Sequence, residues 1–495
     1  MHEYFERFEQ RASKRSTLRI VRNIIKPDVK EVRANELTKN SPWPQPSPMN
    51  PFELPSCVVH VPEKEIEHFI KKVVRRYVKT IQTHSFKSLT KGGSHKLARK
   101  LNDKEFCDYI FRTCFSKILS KNISPDEHRI FFDVIEDKKE YFTYNLMPLK
   151  TMKTYPDMYT EGTISLFEKK GDQLFPCAIY IKQQVVTPDE HDRWELAKLY
   201  VMQGASIILT ACIHPRIHFP VDSINGITKT LIPKEHILFQ LLSPHMYIQL
   251  PLNFAVQYIS KSIAHGDQSE IYTPYPCGRK GFFEQVALGY RGVEGNFRYP
   301  KYSYPLSVER FETDYSIFLE KYWLCIYRFV KKIVEFIDCD SDLIRLWANS
   351  IAQYVPGFPN AQQMLKKDVL AKALTSYIHN CSVSHAVDHY TYSRIPLEHS
   401  PLRIRIPFPS PQNSTFKLDL KDVVTREDYI RHKFANLMFF KENNLTLLAD
   451  VNYAFKQPEL KKLVREFHAD LKQTEKEMPT ENYIPLSEIA ASIQY

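Results

Sequence analysis

The chain has 495 residues, of which 43% are hydrophobic and 25% are charged, a composition that is ordinary for a soluble globular protein. Its 68 Lys and Arg exceed its 57 Asp and Glu, which gives a formal net charge of +11. No uninterrupted apolar run reaches the length of a membrane-spanning helix, and nine cysteines without a C-x-x-C spacing indicate free thiols in a reducing compartment.

The first 56 residues are expected to lie outside the main domain. Residues 1–35 are charged and weakly amphipathic and lack the apolar core of a secretion signal, whereas residues 38–56 hold many prolines and predict an extended arm. We therefore divide the chain into an N-terminal helix and proline-rich arm over residues 1–56 and a main domain over residues 57–495. With no signal peptide or transmembrane helix, the protein is expected to be cytoplasmic or non-classically secreted.

A basic amphipathic helix is predicted over residues 63–83. Between residues 68 and 100 the chain has 10 Lys or Arg and no acidic residue, and five of these cations fall at helical spacing: Lys71, Lys72, Arg75, Arg76 and Lys79. Two interpretations remain open, namely peripheral contact with an anionic membrane or a core-packed helix with a solvated basic face. A nucleic-acid partner is not expected, because the aromatic residues lie on the apolar side and no binding motif accompanies them.

The remaining chain predicts mainly helices. Residues 105–190 indicate helix mixed with short strands, with a hairpin turn at Gly171. Residues 267–310 are rich in prolines and aromatic side chains and predict an irregular covering loop. Helical patterns return over residues 311–391, with Ser341 and Asn360 as N-caps, and again over residues 426–476.

Two histidine pairs stand at the ends of apolar helical runs. The run from Leu196 to Ile213 is long and apolar enough for a buried helix, and His214 and His218 follow it. A second apolar run leads to His385 and His389. Because residues four apart on a helix share one face, each pair can direct two imidazoles at one ion. Together they would provide most of the coordination shell of a transition metal.

Spacing alone leaves two interpretations of these histidines open. Eighteen histidines in a chain of 495 residues produce roughly one such pair by chance, so a metal site competes with buried histidines that bond to backbone carbonyls. Pro215 lies inside the first pair. Since a proline removes a backbone donor, we expect the backbone there to depart from a regular helix.

The order of short motifs around the pairs resembles the catalytic domain of lipoxygenases. LFPCAIYI at 174–181 is similar to a family strand, and YIPLSEIAASIQY at 483–495 is similar to the family's C-terminal ending. Around the first pair the matching residues are Trp194, Leu196, Ala197, Lys198, Tyr200, Val201, His236, Leu241, Leu242, Pro244, His245, Leu252 and Asn253. The resemblance spans residues 140–495. It implies a mainly α fold, a large single helical bundle with a few short strands. Family members often carry an N-terminal β-barrel, but nothing in this sequence resembles its run of short strands, so we expect no such barrel here.

The resemblance also implies a metal and its ligands. The family's ion is non-haem iron, and manganese stays open because a manganese-using fungal branch is similar in the four-residue spacing of its first pair. The implied ligands are His214, His218, His385, His389 and the terminal carboxylate of Tyr495. Nitrogen and oxygen donors without a thiolate suit such an ion.

Several positions beside the implied ligands depart from the family pattern. Val256 and Ser260 match positions that face the substrate. Thr210 and Tyr392 match two glutamines that hydrogen-bond around the metal, and such bonds orient ligands and tune the ion. Asp388 has two interpretations, a carboxylate that supports a ligand or a solvated turn residue.

The reaction implied by the resemblance is the insertion of O₂ into a polyunsaturated fatty acid or lipid, which gives a hydroperoxide. No catalytic side chain is implied beyond the metal-bound hydroxide. Two alternatives stay open because of the departures: a catalytically silent lipoxygenase-like protein that binds lipid or protein, and an isomerase of fatty-acid hydroperoxides.

Overall fold

Helices dominate the architecture, and the predicted mainly α fold is confirmed. The computed structural model describes residues 97–171, 173–258, 273–292, 300–313, 315–413, 415–436, 446–478 and 483–494, with short pieces at 45–46, 57–58, 65, 67–69 and 71–72. Lys71 and Lys72 belong to these pieces. The predicted sites at Arg75, Arg76, Lys79, Ser260 and Tyr495 lie outside the described residues.

The strands form two antiparallel sheets. In the first, β1 (Gln45–Pro46) pairs with β2 (Cys57–Val58). The second is a meander in the order β3-β4-β5-β6-β7, built from Leu119–Ser120, Glu140–Asn145, Thr163–Lys170, Gln173–Ile181 and Gln184–Val186. Lys170 pairs with Gln173, and Gly171 between them has a φ of 61°, which favours glycine. The hairpin predicted at Gly171 is therefore confirmed.

The larger sheet is covered on both faces. Successive side chains of a strand point to opposite faces, so Tyr144 packs into the main core whereas Tyr141 packs into a smaller cluster around Phe131. The face that packs into the main core attaches the sheet to the helical bundle, chiefly through α1 and α3.

Fifteen α-helices and two π-helices begin and end within the described parts of the chain. The α-helices, α1 to α15 in order, are Asp103–Phe111, Pro125–Ile130, Asp192–Ile207, Pro215–Leu231, Ile237–Leu242, Gln249–Tyr258, Arg279–Arg291, Tyr315–Val334, Asp342–Tyr354, Ala361–Met364, Lys367–His379, His385–Arg394, Leu420–Val423, Arg426–Ala435 and Pro458–Lys476. The π-helices, π1 and π2, are Ile208–Ile213 and Asn380–Ser384.

The centre of the bundle is the continuous helix α3–π1–α4. It runs over 40 residues, Asp192–Leu231, and its most apolar window is entirely buried inside the protein. Length and composition alone would allow this helix to cross a membrane. A helix that is apolar all round is, however, what the core of a large domain requires, and here α3 packs on the larger sheet while α4 packs on α6, α7 and α9. The buried helix predicted over Leu196 to Ile213 is thus confirmed.

A second continuous helix, α11–π2–α12, runs through the same core. α8 packs along α11 and along α15, where Phe329 and Phe467 stack with ring centroids 4.3 Å apart. α9 packs on α4, and the indole of Trp347 donates to the Thr228 hydroxyl over 2.8 Å. These neighbours hold the two central helices, and hence the two histidine pairs, in fixed relative positions.

One sequence prediction needs correction. Residues 267–310 were expected to form an irregular loop, yet Arg279–Arg291 is the helix α7. Its buried side chains recur at helical spacing, as Phe282, Val286 and Tyr290 show. The prolines that suggested a loop flank this helix and do not interrupt it. Ser341 and Asn360 both occupy N-cap positions as predicted. Asn360 forms a capping box with Gln363, whereas the Ser341 side chain makes no capping bond.

Candidate metal centre

The backbone before each histidine pair is π-helical. The His214 N–H donates to the carbonyl of Leu209, five residues back, over 2.8 Å. Pro215 has no N–H, and in an α-helix its ring would press on the carbonyl four residues back, so a wider turn before it relieves that contact. The irregular backbone predicted at Pro215 is therefore confirmed. The second pair follows π2 in the same way, and His385 opens α12.

Helix α7 lies directly against π1. An added Cβ at Gly289 would fall 2.2 Å from the carbonyl oxygen of Cys212, so only glycine allows the two backbones to come this close. One residue further, the Tyr290 hydroxyl donates to the carbonyl of Pro215 over 2.5 Å. α7 thus fixes the turn from which His214 projects.

Replacing Gly289 with alanine is expected to lower the free energy of unfolding by about 2–3 kcal/mol, because the clashing atom is backbone and cannot rotate away. Gly204→Ala is the matched control. Its Cβ would meet the Cδ1 atoms of Leu146 and Leu149 at 2.9 Å, which are ends of flexible side chains. Urea unfolding of both variants measures the difference, and equal losses would contradict the close approach of α7.

The two histidine pairs converge on one point between α4 and α12. Nε2 of His218 lies 2.8 Å from Nε2 of His214, and Nε2 of His389 lies 3.2 Å from the same atom. The ring of His385 completes the group, with its centroid 4.4 Å from that of His389. One ligand atom from each histidine lies within 4.8 Å of the others. Two pairs that are far apart in sequence therefore form one cluster.

A buried ion pair binds Nδ1 of His214. Nδ1 of His214 donates to Oδ2 of Asp388 over 3.0 Å, and Nζ of Lys117 donates to Oδ1 of Asp388 over 2.8 Å. The side chains of Lys117 and Asp388 are 3% and 0% exposed. Burial alone would raise the pKa of Asp388, but the Lys117 ammonium and the bond from His214 hold that pKa below its usual value. Asp388 is thus an anion that accepts from His214.

The side-chain amide of Asn253 binds Nδ1 of His218. Nδ1 of His218 donates to Oδ1 of Asn253 over 2.7 Å. The amide nitrogen of Asn253 donates to Oδ1 of Asp222 over 2.6 Å and to the His218 carbonyl over 2.9 Å. Both of these partners accept, so the orientation of the Asn253 amide is determined. Asp222 therefore acts on His218 through Asn253.

The hydrogen bonds made by Nδ1 of His214 and Nδ1 of His218 determine which ring nitrogens keep a lone pair. Since Nδ1 donates in both His214 and His218, both Nε2 atoms keep a lone pair. The two Nε2 atoms nevertheless lie 2.8 Å apart, a distance at which two lone pairs repel unless a cation lies between them. The donor set therefore fits a metal ion held by neutral imidazoles.

Burial also favours the neutral form of two of the four imidazoles. It lowers the pKa of His218 to about 3, and the pKa of His385 lies well below its usual value for the same reason, with the neighbouring imidazoles adding to both shifts. The neutral imidazole is the form that binds a metal.

The remaining residues that the sequence singled out lie on several elements. The Thr210 hydroxyl donates to the carbonyl of Ser206, one turn back on its own helix, over 2.7 Å. Val256 lies on α6, one turn after Asn253, and is partly buried against the main core. Tyr392 lies on α12, and its side chain is outside the description. Lys71 is exposed and Lys72 is partly buried.

Sequence reasoning did not assign a role to Lys117, Asn253 or Asp222. Lys117 is 271 positions from Asp388, so no local pattern could join them. Asp222 did carry a signal, because it lies one helical turn after His218 on the same face. A carboxylate there, within a buried apolar helix, could have been assigned to the support of His218.

Several solved structures share this fold. The chain matches a LOX variant with a TM-score of 0.68 at 16% identity, over 95% of this chain and 82% of that one. It matches coral 8R-lipoxygenase with a TM-score of 0.66 at 17% identity, over 89% and 77%. A LOX in complex with arachidonate matches with a TM-score of 0.63 at 17% identity, over 88% and 74%. No family model and no curated protein matches the sequence. The lipoxygenase-like fold expected from the motifs is confirmed.

Proposed function

We propose that the protein is a lipoxygenase-type dioxygenase that inserts O₂ into a polyunsaturated fatty acid or lipid at a non-haem metal. The observation that carries the proposal is the 2.8 Å distance between the Nε2 atoms of His214 and His218, whose Nδ1 atoms bond to Asp388 and Asn253, within a lipoxygenase-like fold. A fold alone hosts many functions, whereas four converging imidazoles are a donor set that suits a transition metal.

His214, His218, His385 and His389 would hold the ion, with the terminal carboxylate of Tyr495 as the fifth ligand. When bound, iron or manganese would supply the one-electron chemistry that removes hydrogen from a methylene between two cis double bonds. Gln494, which precedes Tyr495, is 4% exposed, and this burial supports the proposed ligand.

The protein's own groups prepare this centre in two ways. Asp388 and Asn253 fix the tautomers of His214 and His218, so that both imidazoles offer Nε2 inward without rearrangement. Burial keeps water away, since His218, His385 and His389 are each at most 7% exposed. The His214 side chain retains 13%, and we infer that substrate and O₂ approach on its side.

An apolar acyl chain is the substrate that suits these surroundings. One LOX with the same fold was solved in complex with arachidonate. Val256 on α6 follows Asn253 by one turn, and we propose that it lines the acyl chain's path, with Ser260 beyond it. The predicted set of basic residues, Lys71, Lys72, Arg75, Arg76 and Lys79, remains the candidate for peripheral contact with an anionic membrane, although the Lys72 ammonium also donates to Gln494.

The test is oxygen uptake and conjugated-diene absorbance with linoleate and arachidonate, on protein loaded with iron or manganese. We expect protein loaded with one of the two metals to show both oxygen uptake and conjugated-diene absorbance. A metal-loaded protein that gives neither signal with free acids or phospholipids would contradict it. Supplying a fatty-acid hydroperoxide to the same protein then separates an isomerase from a silent binding protein.

A further inference from the structure

The C-terminal tail, residues 483–494, ends inside the protein. Residues 489–494 are at most 4% exposed, although they belong to no long helix or strand. Their backbone pairs with the chain around Thr446, where Ala491 N–H donates to the Thr446 carbonyl over 2.8 Å. Nδ1 of the buried His245 also donates to the Ala491 carbonyl over 2.6 Å. Such a segment stays buried only while its neighbours hold it.

One neighbour is the N-terminal helical segment, which we define as the helical residues 65, 67–69, 71 and 72. His68 and Lys72 are four positions apart and share one face. Both meet Tyr247: the His68 ring packs edge-on at 5.8 Å, and the Lys72 ammonium lies 5.5 Å from the ring centroid. The Tyr247 carbonyl in turn accepts from the Ser492 hydroxyl over 3.3 Å. The segment and the tail thus share a contact.

Lys72 also reaches the tail directly. Its ammonium donates to Oε1 of Gln494 over 2.9 Å, and Nε2 of Gln494 donates to the Thr446 carbonyl over 3.4 Å. The amide of Gln494 is therefore held at both of its ends, one residue before the chain terminus. A hydrogen bond from a charged donor in a partly buried place is among the stronger single contacts.

The segment has two further attachments to the bundle. Glu65 pairs with Lys229 over 2.5 Å, and Lys229 lies on α4, the helix that bears His218. Phe69 packs against the main core. The segment is thus attached to the bundle at two positions that precede Lys72, and the bond from Lys72 connects it to Gln494.

We infer that Lys72 is a positioning residue that holds the C-terminal tail in the interior, so that the N-terminal helical segment keeps Gln494 in place. Retention of the tail follows from contacts in the structure and needs no metal. Its consequence for the metal centre rests on the proposed function, because there the terminal carboxylate of Tyr495 is a ligand. Lys72 is then assigned to the tail, whereas its neighbour Lys71 faces solvent.

The test is digestion of the full-length protein with a carboxypeptidase, followed by intact mass. Loss of Gln494 and Ile493 is the readout, because these residues are cleaved only when the tail leaves the interior. Lys72→Met is expected to accelerate this loss about tenfold, the factor that corresponds to one hydrogen bond from a charged group. Lys72→Arg, which can donate to the same amide, should return the rate close to that of the unmodified protein.

Lys71→Met is the matched control, since it removes the same charge from the same turn, and its rate should equal that of the unmodified protein. Glu65→Gln weakens the attachment to α4 and should act in the direction of Lys72→Met. If Lys72→Met is trimmed at the rate of the unmodified protein, the inference is overturned. Equal acceleration of trimming in Lys72→Met and Lys71→Met would also overturn it, because the loss of charge alone would then explain the effect.

A second readout separates this inference from the proposed function. The time course of metal loss to EDTA should shorten in Lys72→Met and stay unchanged in Lys71→Met. Faster trimming of Lys72→Met in a protein that binds no metal would leave the tail contact in place and contradict the metal centre. Unchanged trimming with a stably bound metal would contradict the role of Lys72 and leave the proposed function in place.

Discussion

Replacing His214 with alanine is expected to remove the bound metal and, with it, all oxygen uptake. Nε2 of His214 is central in the cluster, at 2.8 Å from His218 and 3.2 Å from His389. Loss of a group that merely supports a ligand lowers metal affinity about 10–100-fold, so loss of this ligand should exceed about 100-fold. Metal content after desalting, and competition with a chelator of known affinity, measure the change.

His128→Ala is the control for this variant. His128 is an exposed residue of α2, so the change should leave metal content and oxygen uptake unaltered. Circular dichroism and a thermal melt establish that the His214 variant is folded. A folded His214→Ala protein with a full complement of metal would mean that the ion lies elsewhere.

Replacing Lys117 with methionine is expected to cost about 3–5 kcal/mol of unfolding free energy, because it leaves the Asp388 carboxylate buried without its counter-charge. Lys117 and Asp388 are 3% and 0% exposed, so water cannot take the place of the ammonium. Metal affinity should fall as well, since Asp388 orients His214. Urea unfolding and chelator competition measure the two effects separately.

The double variant Lys117→Met, Asp388→Leu distinguishes stability from positioning. An apolar pair of similar volume is often as stable as the ion pair it replaces, so most of the unfolding free energy should return. Metal affinity should stay about 10–100-fold low, because Nδ1 of His214 has lost its acceptor. If the double variant binds metal as tightly as the unmodified protein, Asp388 has no role in holding His214.

The sequence was most informative where the determinant is local. A four-residue spacing places His214 and His218 on one face without knowledge of any other element, and Pro215 alone predicts an irregular turn. The helix α7 was missed because its flanking prolines outweighed a short apolar pattern. Local composition is a weak guide when tertiary packing, here against π1, stabilises the helix.

The parts that sequence could not provide are contacts between distant residues. The sequence left Asp388 as either a support of a ligand or a solvated turn residue. Only the contact with Lys117 stabilises a buried anion at that position. Asn253 was noticed as part of a motif, but its bond to His218 joins α6 to α4 across 35 positions. The Thr210 hydroxyl donates to the carbonyl one turn back on its own helix, a bond that its position in the sequence allows but does not require.

Anomalous X-ray scattering from crystals of the protein loaded with iron, or with manganese, tests the central claim most directly. We predict a single strong peak at the absorption edge of the metal, about 2 Å from one ring nitrogen of each of the four histidines. Side chains of His214 and His218 that bond to each other with no peak between them in a metal-loaded crystal, or a peak bound by other residues, would contradict the account.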